Sequence, residues 1–239
     1  MIVAIDAGNT RIKWGLHDGV QWIDKGIVAT SDVILLGEAA DEWPTEARAV
    51  LCNVAGAGVA QTIAEILARR RMHLDTLHSS RAACGVRNGY DNPAQLGADR
   101  WAALIGARGR TSAACLVASA GTATTIDLLD ASGLFRGGVI LPGFDLMRAS
   151  LAQNTAQLPW GDGEFRAEAR NTMDAIVSGC LTAQVGAIER MYAAIAREHG
   201  ASCLLTGGNA TRLKQHLSIP CELADNLILD GLVRFGAAL

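Results

Sequence analysis

The sequence predicts an α/β fold of two similar lobes, and three observations carry that prediction. A strand, a Gly/Thr turn and a second strand occupy Met1 to Leu16, and the same order returns at Ala113 to Leu129. Each occurrence leads into a third strand and then into alternating helix and strand, the pattern of layered α/β domains. The chain has 239 residues, enough for two domains of about 120 each, and the repeat places the division at 1–112 and 113–239.

The elements follow from period and punctuation. Met1 to Ile5 is short, apolar and rich in β-branched residues, so it reads as a core strand that delivers Asp6 to the surface at its carboxyl end. Ile12, Trp14 and Leu16 alternate with Lys13 and Gly15, which makes 11–17 a second strand and excludes the strand, loop, helix order of a P-loop. A strand at 20–29, a helix at 31–42, a strand at 48–54, a helix at 58–71, a strand at 73–78 and a helix at 94–108 complete the first lobe. The second lobe has strands at 113–119, 122–130 and 134–140 and a helix at 143–153. Pro159, Gly161 and Gly163 break periodicity between 158 and 169. Met173, Ile176, Val177, Cys180, Gln184, Ala187, Ile188, Met191 and Ile195 keep a helical repeat, predicting a long helix over 172–199. A strand at 202–206, a helix at 208–217 and a closing helix from 226 finish the chain.

Composition narrows the function classes. Half of the residues are hydrophobic and 19% are charged, as in globular soluble proteins. The net charge of −3 gives no electrostatic footprint for nucleic acid or an anionic membrane. Arg69, Arg70 and Arg71 fall at an expected helix end, where cations offset the macrodipole. Six scattered cysteines without a CxxC pair read as reduced thiols, and the five histidines lack zinc-ligand spacing. No apolar run approaches a membrane span and the N-terminus lacks a signal peptide, so a cytoplasmic location is expected.

The chemistry is expected at the turns. In Asp6, Ala7, Gly8, Asn9, Thr10, Arg11, Ile12 and Lys13, the glycine admits a phosphate to the backbone, and Asn9 and Thr10 add side-chain donors. Asp6 is suited to a hydrated Mg²⁺, which binds few protein carboxylates, and Lys13 to phosphate charge. The second turn, Ser119 to Thr125, repeats the arrangement with Gly121 and Thr122. Two ordinary hairpins would also explain either turn alone; the duplication with Asp6 and Lys13 favours phosphate. In Tyr90 to Arg100, Asn92 and Pro93 mark a helix start, with Asp99 near its positive end and Gly97 leaving space for a substrate. Spacing leaves open whether Asp99 serves a substrate or only its helix, while an acid, a cation and a phenol together suit a small hydroxylated acid. Gly207 and Gly208, between a strand and a helix, suit an adenine and ribose or a plain tight turn. Thr172 reads as a helix cap, and Gly179 and Gly186 share a helix face fit for close packing, including across a dimer. Val50 to Gln61 with Asp75 imitates a dinucleotide fingerprint, but Gln61 replaces the third glycine.

Taken together, DAGNTRIK at 6–13, YDNPAQLGADR at 90–100, AGTATTID at 120–127, GGVILPG at 137–143, NTMDAIVSG at 171–179 and TGGNA at 206–210 resemble the type III pantothenate kinases. That family is a branch of the acetate kinase, sugar kinase, Hsp70 and actin superfamily, and the likeness spans nearly the whole chain. It implies two duplicated ribonuclease H-like lobes of the actin-like ATPase type with a cleft between them. It also implies ATP-dependent phosphorylation of pantothenate to 4'-phosphopantothenate, the first step of coenzyme A synthesis, by a homodimer whose pantothenate site the neighbouring subunit completes. Matched position by position, Asp99 corresponds to the general base, Asp6 to Lys13 to the first phosphate motif and Thr122 to an ATP contact. Tyr90, Gly97, Ala98, Asp99, Arg100 and Thr172 correspond to pantothenate contacts.

One position departs from the family pattern. Where relatives usually carry an Asp in a monovalent cation site, this chain has Ser119, which offers an oxygen without charge, so K⁺ or NH₄⁺ should bind weakly. Two rivals remain at this point, a non-catalytic transcriptional accessory factor of the same fold and a superfamily kinase acting on a sugar or acetate. Asp6, Asp99, Arg100 and Thr122 favour the pantothenate enzyme.

Overall fold

The computed structural model describes residues 1–155, 158 and 160–239. Strands β1 (Ile2–Ala7), β2 (Arg11–His17) and β3 (Trp22–Ala29) form an antiparallel meander. Val3 to Ala7 are buried throughout, as a strand covered on both faces requires, whereas β3 alternates in exposure at the sheet edge. After a 3-10 turn at Thr30–Leu35 come α1 (Leu36–Asp41), β4 (Arg48–Asn53) parallel to β1, α2 (Ala57–Arg69) and β5 (Leu74–Thr76) parallel to β4. The sheet order is β3-β2-β1-β4-β5, and Val3, Ile5, Ile12, Trp14, Leu36 and Ile63 belong to one apolar core on it. A two-stranded ribbon, β6 (Ala82–Ala83) and β7 (Val86–Asn88), then precedes α3 (Ala98–Arg110).

The second half repeats the plan. Strand β8 (Cys115–Ala120) pairs antiparallel with β9 (Ala123–Leu129), and β10 (Leu134–Pro142) lies beside β9. Helices α4 (Phe144–Asn154) and α5 (Thr172–Tyr192) lead to β11 (Ser202–Thr206), parallel to β8. Then α6 (Ala210–Lys214) leads to β12 (Cys221–Leu223), parallel to β11. The order β10-β9-β8-β11-β12 therefore matches β3-β2-β1-β4-β5 strand for strand. This is the duplicated ribonuclease H-like lobe of actin-like ATPases. The last helix is α7 (Leu227–Gly236).

The chain forms two compact units, one of Met1–Ser112, Gly133–Phe135 and Asn226–Leu239, the other of Ala113–Ser132 and Arg136–Asp225. The sequence division assigned everything after 112 to the second lobe, but α7 belongs to the first unit. Glycines make this possible: a Cβ at Gly106 would land on the carbonyl oxygen of Leu227, and one at Gly231 on that of Ala102. With no side chain at the crossing, α3 and α7 touch backbone to backbone, and Leu227, Leu229 and Leu232 are buried. Each such leucine contributes on the order of 1.5–3 kcal/mol.

Other differences are local. The short strands β6, β7 and β12 carry too little period to be read from sequence. The long helix stops at Tyr192, short of 199, and the chain folds back so that the Tyr192 hydroxyl donates to the Ala201 carbonyl at 2.9 Å. Of the residues expected to break periodicity near 158–169, Pro159 lies outside the described residues.

Candidate active site

The first unit gathers most of the expected catalytic residues. Asp6 is the penultimate residue of β1, where the antiparallel register sets it directly opposite Lys13 on β2 and the parallel register sets it beside Cys52 on β4. Only 9% of Asp6 is exposed. Burial pushes its carboxyl up to about 7, the charge of Asp99 adds to the rise, and Lys13 opposes it. The same two carboxylates, after burial, hold the Cys52 thiol well above its ordinary range. Asp6, Asp99 and Cys52 thus share one electrostatic neighbourhood, although the two acids are 93 positions apart in the chain.

The turn after Asp6 closes by a hydrogen bond from the Gly8 N–H to the Arg11 carbonyl at 3.1 Å. Thr30 braces it from outside: its hydroxyl donates to the Gly8 carbonyl at 2.7 Å and its N–H to the Thr10 carbonyl at 3.1 Å. Gly8 eases the tight turn, since a Cβ there would stand 3.1 Å from the Arg11 oxygen and push it by a few tenths of an ångström. Ala7 and Ile12 are buried as strand residues, while Asn9, Thr10 and Arg11 remain exposed.

Asp99 stands closer to its helix terminus than the sequence suggested. Asn92 and Pro93 cap a separate 3-10 turn, Pro93–Gln95, in which the Asn92 side chain accepts from the Ala94 N–H at 3.2 Å. The α-helix starts anew at Ala98 with Gly97 as its N-cap, so Asp99 is its second residue and faces the positive end of the dipole. The space at Gly97 is not vacant for substrate: a Cβ there would sit 2.7 Å from Oδ1 of Asp99. Glycine leaves that carboxylate its position, and the same oxygen accepts from the Arg100 N–H at 2.8 Å.

Arg100 is 5% exposed and its guanidinium is held against a pair of aromatic rings. Its Nη1 donates to the Tyr90 hydroxyl at 2.8 Å, and its central carbon lies 5.6 Å from the Tyr90 ring centroid and 5.8 Å from that of Phe135. Such distances to an aromatic face attract a cation. The two rings stand 5.3 Å apart. Sequence reasoning missed Phe135 and Cys52; only strand register could have revealed Cys52, and nothing local marks Phe135.

In the second unit three backbone junctions converge. The Gly121 N–H closes the turn onto the Ala123 carbonyl at 3.0 Å, the Gly143 N–H donates to the Thr122 carbonyl at 2.9 Å, and the Asn209 N–H donates to the Ala120 carbonyl at 3.1 Å. Gly207, with φ +99°, presses on the Ala120 backbone where a Cβ would collide. Gly143 likewise meets the Gly121 and Thr122 carbonyls. Thr122 and Gly208 stay exposed at this junction, and nothing stands within 4 Å of a Cβ built on Gly208. Ser119 pairs in register with Thr125 and Thr206, which place neutral oxygens directly beside it, while the buried carboxylate of Asp127 stands two residues beyond Thr125 on β9, opposite Val117.

Thr172 also belongs to this second unit, apart from Tyr90 and Arg100 in the first. It does not cap α5: the Asn171 side chain does, accepting from the Asp174 N–H at 2.9 Å. Thr172 instead lines an apolar cavity of about 530 Å³ with Met147, Leu151, Ile176, Gly179 and Cys180. The dinucleotide-like segment has a local explanation, since Asn53 bonds the Ala55 N–H and the Gly56 carbonyl, and Asp75 is tied to Arg48 at 3.3 Å.

Among the described residues no three His, Cys, Asp or Glu side chains gather into a metal cage, and no helix is long and apolar enough to cross a membrane. Mg²⁺ needs no cage, because it keeps most of its waters. Asp6 fits it: an oxygen donor beside a second carboxylate, buried so that solvent alone does not hold its charge.

Comparison with known proteins narrows what such a site is for. The family model for type III pantothenate kinase matches residues 2–194. The type III pantothenate kinase of Aromatoleum aromaticum is 56% identical over 232 residues, covering 97% of this chain and 96% of its own. Among solved structures, a protein of Campylobacter jejuni described as a Baf family transcriptional activator superposes with a TM-score of 0.63 at 19% identity, over 99% of this chain and 100% of its own. One of Sinorhizobium meliloti described as a 2-dehydro-3-deoxygalactonokinase does so with 0.61 at 16%, over 100% and 98%. At those identities the structures speak for the fold, whereas the match at 56% speaks for the family and against the accessory-factor reading. The chain belongs to the type III pantothenate kinase family.

Proposed function

We propose that this protein performs the reaction of its family, ATP-dependent phosphorylation of pantothenate for coenzyme A synthesis, with Asp99 as general base on the acceptor hydroxyl. The observation that carries the assignment is the pairing of Asp99, at the start of α3, with a buried Asp6 that feels its charge. Asp99 accepts the proton of the primary hydroxyl of pantothenate; in a loose transition state that proton leaves late, so a carboxylate suffices when well placed. Arg100 and Tyr90 hold the substrate carboxylate, with Gly97 and Ala98 forming the floor at the helix start.

Asp6 would hold a hydrated Mg²⁺, which would neutralise phosphate charge when bound, and Lys13 opposite it adds a cation. The Asp6 to Lys13 turn and, in the second unit, Thr122, Gly207 and Gly208 bind ATP through backbone N–H groups, hydroxyls and side-chain-free surface. Thr172 contributes to pantothenate binding from a homodimer partner, an arrangement supported by its exposure and by open space at Gly179 and Gly186 on the same helix. Ser119 leaves the monovalent cation position weak, and the enzyme works in the cytoplasm.

A coupled ADP-release assay with pantothenate, pantetheine and N-acetylglucosamine, on wild type and Asp99→Asn, tests this reading. Turnover on pantothenate that collapses in the variant is expected. No turnover on pantothenate would sink the substrate assignment, and unchanged turnover in the variant would remove Asp99 as base.

A further inference from the structure

We propose that Phe135 is a positioning residue for substrate, acting by holding the Arg100 guanidinium in the orientation that receives a carboxylate. The inference rests on the reading of Arg100 as the carboxylate partner. Arginine has a long, rotamer-rich side chain, and ordering it on binding costs affinity unless it is ordered beforehand. In this structure the ordering is built in. The guanidinium carbon lies 5.6 Å from the Tyr90 ring and 5.8 Å from the Phe135 ring, while Nη1 donates to the Tyr90 hydroxyl at 2.8 Å.

Tyr90 and Phe135 meet the cation from the same side and together make one continuous aromatic face. The Tyr90 ring packs 5.3 Å from Phe135, so the phenol that bonds the guanidinium is itself braced by the same residue. Phe135 is fully buried and stands in the first unit, where β10 begins and pairs in register with Asn88 of β7. The chain entering Tyr90 is shaped to it: a Cβ at Gly89 would collide with the Phe135 carbonyl oxygen. Asn88 in turn accepts the Tyr90 N–H at 3.1 Å through its side chain. Phe135, Gly89, Asn88 and Tyr90 thus form one frame behind the aromatic face that meets the cation. Phe135 need not touch substrate to act, because its contribution passes through the guanidinium.

The test compares pantothenate with the alcohol in which its carboxylate is replaced by a hydroxymethyl group, in wild type, Phe135→Leu and Arg100→Gln. Phe135→Leu is expected to raise KM for pantothenate about tenfold, within the range of a desolvated cation–ring contact. The kcat, the KM for ATP and the KM for the alcohol should stay near wild type. A merely structural ring would shift acid and alcohol alike, and that result, or no shift in either, overturns the proposal. Arg100→Gln separates the two layers of inference. If it abolishes the preference for the acid while Phe135→Leu does not, Phe135 has no positioning role; if it keeps the preference, the carboxylate reading itself is wrong. Should Phe135→Leu fail to fold, ring-fluorinated phenylalanines at position 135 preserve shape while draining charge from the ring face. KM for pantothenate should then climb with each added fluorine, and a flat series overturns the proposal.

Discussion

Asp6→Asn isolates the energetic strain of the site. Folding lifts the Asp6 carboxyl from 3.8 to about 7, mainly by burial and further by Asp99. Below about pH 4 the acid is protonated in both states and costs nothing. As pH rises from 4 to 7 the unfolded chain ionises while the folded one retains its proton, so wild-type stability falls. Above 7 the loss is complete, and at about 1.4 kcal/mol for each pH unit crossed it amounts to at most about 4 kcal/mol. Asparagine has nearly the same shape and no charge to bury. Its stability gain over wild type should therefore be small near pH 4 and grow to a few kcal/mol by pH 8.

Urea unfolding of both proteins across this range, with chelator present and no nucleotide, reads the difference directly. Adding Mg²⁺ at pH 8 should shrink the gap by stabilising wild type alone. A gain independent of pH, or a variant less stable than wild type at pH 8, would refute the claim that Asp6 is held in a state that disfavours its own charge. The variant should also lose kinase activity, since stability and function draw on the same carboxylate in opposite directions.

Three further outcomes follow from the geometry. Asp99→Asn should lower kcat by about 10²–10⁴-fold with KM for pantothenate changed little, as loss of a base that acts only in the transition state requires; initial-rate kinetics decide it. Replacing Na⁺ by K⁺ at fixed ionic strength should alter activity by less than about twofold, because Ser119 and its in-register neighbours Thr125 and Thr206 supply no charge; a steep rise would contradict this. Gly207→Ala should weaken ATP binding and cost about 1–3 kcal/mol of stability. Its φ of +99° disfavours a side chain, and the added methyl would strike the Ala120 carbonyl. Calorimetric titration with ATP and thermal unfolding measure the two effects separately.

What the sequence made legible was local and periodic. The repeated strand, turn, strand order follows from alternation and from glycine at two turns, and the matched sheet orders of the two units account for it. Asp6 opposite Lys13 was equally accessible, since a tight antiparallel hairpin ties register to turn length. The start of α3 was misplaced because Asn92 and Pro93 are good capping residues for any helix, and a 3-10 turn used them first. Illegible were the contacts that depend on how distant segments return. The docking of α7 needs Gly106 and Gly231, 125 positions apart, to meet, and neither glycine announces its partner.

The same distinction runs through the site itself. Its charged residues sit in recognisable turns, because a carboxylate at a strand end or a helix start must be delivered by local backbone geometry. The residues that set their energies do not. Cys52 comes beside Asp6 only through a parallel crossover, and Phe135 reaches Arg100 only because residues 133–135 leave their sequence neighbours to join the first unit. Groups that do chemistry can therefore be read one segment at a time, whereas groups that tune them are fixed by tertiary packing. Substitutions at Phe135 should consequently act on KM through Arg100, and those at Asp99 on kcat directly.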